Sequence, residues 1–235
     1  MKSDRFFVSN SLGMERPVGY GGLRRAIEIA GIIAWLAVSI VLAARLVTDV
    51  HPGVASCGVA IGFVGADLVS GIVHWIGDTW GTPEWPILGP SLIRPFREHH
   101  EDPQAIVRHD FVETNGNSSI GSLILLTGAI AVPLDGVGGD LVASTLLSLS
   151  AWLFATNQIH KWAHAAGRPR AVTWLQDRGW ILSPSHHALH HVAPFDRHYC
   201  ITTGWLNPLL LRIGFFTALE RWIGAASGAV ARKAG

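Results

Sequence analysis

Apolar residues gather into four stretches, 27–47, 53–76, 118–133 and 141–159, separated by polar segments that carry nearly all of the charge. A bilayer asks for roughly 17 to 25 mostly apolar residues per helical span, and each stretch meets or approaches that length. The pattern predicts an all-α fold, an integral membrane bundle of four transmembrane helices. Four crossings put both termini on one side with the long segments 78–117 and 160–235, leaving short connections near 48–52 and 134–140 on the other. Seventeen of the eighteen Lys and Arg residues then share the first side, and only Arg45 sits at the far boundary. The positive-inside tendency makes that side cytoplasmic, the inner-membrane face in a bacterium. Eleven of twelve histidines, all but His51, fall at the same surface. The expected fold is thus a four-span bundle with a cytoplasmic histidine-rich cap. A further apolar segment, 204–224, is interrupted by Pro208, Arg212 and Glu220 and is expected as a C-terminal helix lying in the interface. The first stretch starts too far along the chain for a signal peptide and lacks a small-residue cleavage pattern. The expected organisation is a cytoplasmic N-terminal segment 1–25, one membrane domain 26–224 and a tail 225–235.

Composition agrees with this reading. Of 235 residues, 49% are hydrophobic and 15% charged, and the mean hydropathy is +0.32, unusual for a soluble chain. A net charge of +1 gives no electrostatic case for nucleic acid as a partner. Cys57 and Cys200 spell neither a CxxC motif nor a disulfide framework.

The polar residues of the spans form stripes. Asp67, His74 and Asp78 stand at i, i+7 and i+11, on one face of a helix. An acid inside a span is costly, and Asp67 reads either as part of a site or as a hydrogen bond between helices. Asn157, His160 and His164 stand at i, i+3 and i+7, and H-x3-H puts two imidazoles one turn apart, within reach of one metal. FREHHEDPQAIVRHD contributes His99, His100 and His109; SHHALHHVAPFDRHYC contributes His186, His187, His190, His191 and His198. Within the latter, His187, His190 and His191 form an H-x2-HH box whose members cluster on one face if helical. A solvated histidine face or a pH-sensing patch explains these groups less well than a metal site does.

Imidazoles with a few carboxylates suit zinc, copper, iron or nickel. A structural zinc takes four ligands, which eight or more histidines exceed, so the surplus points to two metals or to one metal with carboxylates orienting its ligand rings. The sequence contains no HExxH motif, since His100-Glu101 runs into Asp-Pro. A haem would use two rings and leave the others unexplained. Two irons account for the number.

The stretches ADLVSGIVHWIGDTWG (66–81), RPFREHHEDPQAIVRHDFVETNGN (94–117), NQIHKWAH (157–164) and SPSHHALHHVAPFDRHYCITTGWLN (183–207) resemble the plasmanylethanolamine desaturase family, also called Kua. The resemblance implies a membrane oxidoreductase with two iron ions, or zinc in a purified sample, that uses O2 and electrons from a cytochrome b5-like or ferredoxin-like protein. Its substrate would be an ether phospholipid, plasmanylethanolamine, and its product the C1–C2 vinyl ether of a plasmalogen. An acyl-lipid desaturase or hydroxylase with the same site is the alternative. The resemblance draws the metal ligands from His74, His99, His100, His160, His164, His187, His190 and His191. Asp78 and Asn157 are the catalytic candidates beside them, while His109, His186 and His198 are weaker ones.

Such a substrate would be met at the cytoplasmic interface. Small residues of the second stretch (Gly58, Gly62, Gly65, Ala66, Ser70, Gly71) would either admit its chain or pack helices closely. Arg94, Arg97 and Arg108 would hold phosphate or serve as positive-inside anchors. Trp75, Trp80, Trp85, Trp162, Trp174 and Trp180 read first as an interfacial belt. A transporter would carry acids and histidines through the depth of its spans, and only Asp67 is deep.

Overall fold

Long apolar runs become long helices because each backbone polar group is then paired within its own segment. The computed structural model describes residues 7–9, 15–17, 21–49 and 51–232. Four helices correspond to the four stretches: α1 (Gly22–Asp49), α2 (Pro52–Thr79), α5 (Phe111–Ile130) and α6 (Val137–His164). Pro52 opens α2 at a position where its missing N–H costs nothing. A capping box opens α5: Asp110 accepts from Val112 N and Glu113 N, and Glu113 reaches back to Asp110 N.

The described residues divide into two compact units, one of Met1–Ala66 with Arg108–Gln158, the other of Asp67–Val107 with Ile159–Gly235. In the first, α1 and α5 run in the same direction: Arg25 pairs with Asp110 at 2.7 Å, and Arg45 Nη1 donates to Ile130 O at 2.7 Å. The α2 and α6 helices also share a direction. His51 N donates to Asp140 Oδ2 at 3.1 Å, and Ser148 Oγ donates to Val59 O at 2.8 Å further along. By contrast α5 and α6 run antiparallel, through Asn115–Gln158 near one end and Ser150 Oγ to Ser122 O at 3.0 Å further along. The result is an up-down-up-down four-helix bundle. Leu42, Leu46, Leu126, Ala129 and Ala143 form its core. A Cβ on Gly58 would meet Ser144 Oγ, and one on Gly62 would meet Thr145 O, so these glycines allow α2 and α6 to approach closely. Close packing is their role here.

Among the described residues three helices are long and apolar enough to cross a membrane: α1 over Gly22–Val47, α2 and α6. The third stretch forms a helix of 20 residues, but Glu113, Thr114, Asn115, Asn117, Ser118 and Ser119 occupy its first turns and lower its apolar character. The N-terminal segment departs from the all-α expectation: β1 (Phe7–Ser9) and β2 (Glu15–Pro17) pair antiparallel, Val8 opposite Arg16. FVS is a β-prone triplet of aromatic, β-branched and small residues. Residues 1–6, 10–14 and 18–20 of that segment lie outside the described residues, as do 233–235 of the tail.

The second unit holds the end of α2, a π-helical turn (Gly89–Ile93), α3 (Arg94–Glu101), α4 (Ala105–Arg108), the end of α6, α7 (Arg170–Asp177), α8 (Pro184–Ala188), α9 (Asn207–Arg212) and α10 (Phe215–Ser227). The segment 204–224, expected as one helix, is two: Gly214 takes a left-handed conformation (φ 63°) between α9 and α10. Trp75, Tyr199, Cys200, Leu210 and Phe216 make this unit's core. Trp75, expected in an interfacial belt, is buried there and donates its indole N–H to Glu220 Oε1 at 3.1 Å. Trp85, Trp174 and Trp180 are exposed.

Candidate metal centre

The site is built from the ends of two long helices and two short ones. His74 and Asp78 lie one turn apart on α2, and His160 and His164 one turn apart on α6. The α3 helix carries His99 and His100 side by side, and their side chains leave it about 100° apart. Ser183 caps α8, its hydroxyl accepting from His186 N at 3.2 Å; Pro184 follows, and His187 sits inside the helix with His190 and His191 on the turn beyond.

These residues form two groups. His99, His160, His164, His187 and His191 make one; His74, Asp78, His100 and His190 make the other. In each, one ligand atom per residue lies within 4.8 Å of all the rest. The H-x2-HH box, which would present one face if helical, runs off the end of α8 and is split: His187 and His191 join the first group and His190 the second. The His99–His100 pair divides in the same way. Asn157 is half-buried one turn before His160 and belongs to neither group, and His109, His186 and His198 are also outside both. His186 Nε2 accepts from Asn207 Nδ2 at 3.0 Å.

The polar atoms here suit a metal better than they suit one another. His187 Nε2 stands 2.8 Å from His160 Nε2 and 3.0 Å from His191 Nε2, and His190 Nε2 stands 3.3 Å from His100 Nε2. Nitrogens bound at about 2.1 Å to one ion are spaced about this far apart. Three imidazole nitrogens surround one carboxylate oxygen, Asp78 Oδ2, at 3.1 Å (His100), 3.3 Å (His74) and 3.4 Å (His190). Neither oxygen of Asp78 has an aligned hydrogen-bond donor among the described residues, and both ring nitrogens of His99 are likewise unpartnered. Buried orphans of this kind cost about 1–3 kcal/mol each, which a bound cation offsets. The donor set fits one metal per group. Two rings are aimed by the backbone. His74 Nδ1–H donates to Tyr199 O at 3.0 Å and His190 Nδ1–H to Arg197 O at 2.7 Å, which turns each Nε2 toward Asp78.

Burial, reinforced by neighbouring imidazoles, holds His99 and His187 well below the usual histidine range and His191 at about 3. These rings are neutral at physiological pH, the form that ligates. Burial pushes Glu98 up to about 7 although Arg94 opposes the shift.

Asp67 lies outside the groups and anchors the segment that follows them. Its Oδ1 accepts from Thr203 N at 2.8 Å and Gly204 N at 2.9 Å, its Oδ2 from Leu206 N at 3.0 Å. Ser70 Oγ accepts from Ile201 N at 3.2 Å. This ties 199–206 to α2 and holds the Tyr199 carbonyl against His74. Gly204, at φ 79°, passes so near His186 that a Cβ would lie 2.9 Å from its Nε2. Arg97 donates to Trp80 O and Gly81 O at 3.2 and 2.8 Å, capping the end of α2 where an interfacial anchor or phosphate ligand was expected. The carbonyls of Tyr199 and Arg197 had no sequence signal, because every residue has one.

The lipid desaturase domain family matches residues 63–234. The chain belongs to that family. The plasmanylethanolamine desaturase of Myxococcus xanthus is 46% identical over 217 residues, 92% of this chain and 77% of the relative. Plasmanylethanolamine desaturase 1 of Mus musculus is 46% identical over 190 residues, 76% of this chain and 68% of the relative. The chloroplastic fatty acid desaturase 4 of Arabidopsis thaliana is 35% identical over 162 residues, 68% of this chain and 48% of the relative. No solved structure matches. The lipid desaturase domain begins inside α2 and includes every residue of both histidine groups. The protein is a desaturase, an oxidoreductase with apolar helices and a histidine-rich site suited to metal.

Proposed function

We propose that the protein is an O2-dependent membrane desaturase that holds two iron ions and forms the C1–C2 vinyl ether of the sn-1 O-alkyl chain in an alkyl ether phospholipid. One observation carries the reading: two groups of metal-suited side chains take neighbouring residues, His99 and His100, from one short helix, so ions held in them would be close neighbours. His99, His160, His164, His187 and His191 would hold one ion, and His74, His100 and His190 with Asp78 the other. Iron, when bound, supplies the oxidising power that O2 cleavage and hydrogen removal from an unactivated chain require. The protein supplies the rest. Tyr199 and Arg197 carbonyls fix ring orientation, burial keeps the rings of His99, His187 and His191 unprotonated, and the enclosing helices exclude water. Removing two hydrogens from the chain while O2, two electrons and two protons become two waters balances the reaction. The electrons come from an external donor of the cytochrome b5 or ferredoxin type. The 46% identity to bacterial and mouse plasmanylethanolamine desaturases, against 35% to a chloroplastic fatty acid desaturase, favours an ether lipid over an acyl lipid.

Helix directions support four spans. With α2 and α6 running the same way, the chain between them must cross back once, and α5 is the long helix available. The ends of α2 and α6 that carry the histidines then face the arginine-rich side, the cytoplasm. Leu209, Leu211, Ile213 and Trp222 of the α9–α10 region are 50–69% exposed, as helices lying in an interface would be.

The test is expression in cells that lack plasmalogens, fed a labelled alkyl ether lipid. An acid-labile vinyl ether is expected, with about two iron ions per purified chain. A new double bond confined to ester-linked acyl chains would overturn the substrate; a fully active protein holding a single metal would overturn the paired site.

A further inference from the structure

One small pocket adjoins the second histidine group. Asp78 and Tyr199 line it, together with Phe195, Asp196, Glu220 and Arg232. It has room for about one water-sized group. Asp196 is exposed, and Glu220 is held in place by the Trp75 indole on its Oε1. Arg232 is placed by its own backbone, whose N–H donates to Thr79 O at 3.0 Å and ties the C-terminal end to the last turn of α2. Asp78 belongs to the histidine group, and the two remaining carboxylates and one guanidinium around so small a space favour a compact cation with an anion attached.

We propose that this pocket takes the primary ammonium of an ethanolamine headgroup, Asp196 and Glu220 accepting its N–H groups and Arg232 holding the adjoining phosphate. The assignment rests on the ether-lipid desaturase reading and supplies its headgroup selectivity. A primary ammonium is about the size of water and carries three donors for the carboxylates. A trimethylammonium has no N–H and is too large for the space; it is usually held by an aromatic cage. A glycerol headgroup has no charge to set against the acids. Because Asp78 belongs to both the pocket and the histidine group, a headgroup held there keeps the glycerol end of the sn-1 chain beside the metal-binding residues.

The test is calorimetric titration of the full-length, detergent-solubilised protein with soluble glycerophosphoethanolamine, glycerophosphocholine, glycerophosphoglycerol and inorganic phosphate. The first should bind at least about tenfold more tightly than each of the others, a difference of about 1.4 kcal/mol. Asp196→Asn and Glu220→Gln, the latter still able to accept from Trp75, should each erode the preference for ethanolamine over choline, and together abolish it. Arg232→Ala should weaken all three glycerophosphodiesters alike. Equal or undetectable affinity for the two amines, an unchanged preference in the double variant, or phosphate binding as tightly as the joined headgroup would overturn the proposal. Selective binding by a protein that makes no vinyl ether would uphold the pocket and overturn only the reaction.

Discussion

His99 has no hydrogen-bond partner for either ring nitrogen among the described residues, although it is 5% exposed. A side chain in that state needs an ion more than it needs a neighbour, and it makes the clearest single-residue test. His99→Ala should lower bound metal from about two ions per chain toward one and remove vinyl ether product, with the protein still inserted; substantial residual product would argue against its ligand role. Proton linkage gives a second test at this scale. His99 and His187 titrate well below 6.5 in the folded protein and His191 at about 3, whereas each ring takes up a proton near 6.5 once unfolded. Above that pH the rings are neutral in both states and contribute fully to stability. As pH falls below 6.5 the unfolded chain binds more protons, so stability is lost progressively, with the His191 contribution exhausted only near pH 3. The chelated, metal-free protein should therefore show a melting temperature that drops between pH 7.5 and pH 5; a flat profile would contradict the neutral-ring assignment.

At the scale of elements, the second half of α2 works as a rail. One face carries His74 and Asp78; Asp67 and Ser70 hold the segment 199–206, whose Tyr199 carbonyl aims His74. Asp67→Ala leaves three backbone N–H groups without their acceptor at about 1–3 kcal/mol each, whereas Asp67→Asn keeps one acceptor oxygen. The alanine variant should melt lower than the asparagine variant and also lose metal, because His74 would lose its fixed partner. Thermal unfolding and metal content measured on the same samples check this, and a variant that melts lower but keeps its metal would separate the anchor from the site. The α3 helix acts differently: two adjacent histidines leave it in different directions and so feed two groups.

For the whole molecule the decisive quantity is the number of crossings. Asp135 is exposed in the α5–α6 connection and Gln104 is exposed between α3 and α4. In a Cys57→Ala background, Asp135→Cys should react with a membrane-impermeant maleimide added outside intact cells. Gln104→Cys should react only after the membrane is opened. Labelling of both from one side would remove α5 from the set of spans and reverse part of the topology.

The sequence by itself determined the long helices and the metal-binding character of the histidine motifs, because hydropathy and side-chain chemistry are local properties. It also marked Asp67 as a residue with a partner to be found. Tertiary structure decided how motifs are shared out. His99 parts from His100 because adjacent side chains leave α3 about 100° apart, and His190 parts from His187 and His191 on the turn beyond α8, where motif spacing does not specify direction. It turned Trp75 inward to Glu220 and Arg97 onto the carbonyls of Trp80 and Gly81, left Asn157 out of both groups, and broke the C-terminal helix at Gly214. Each of these depends on which distant segment arrives beside a residue, and that is fixed only when the chain has packed.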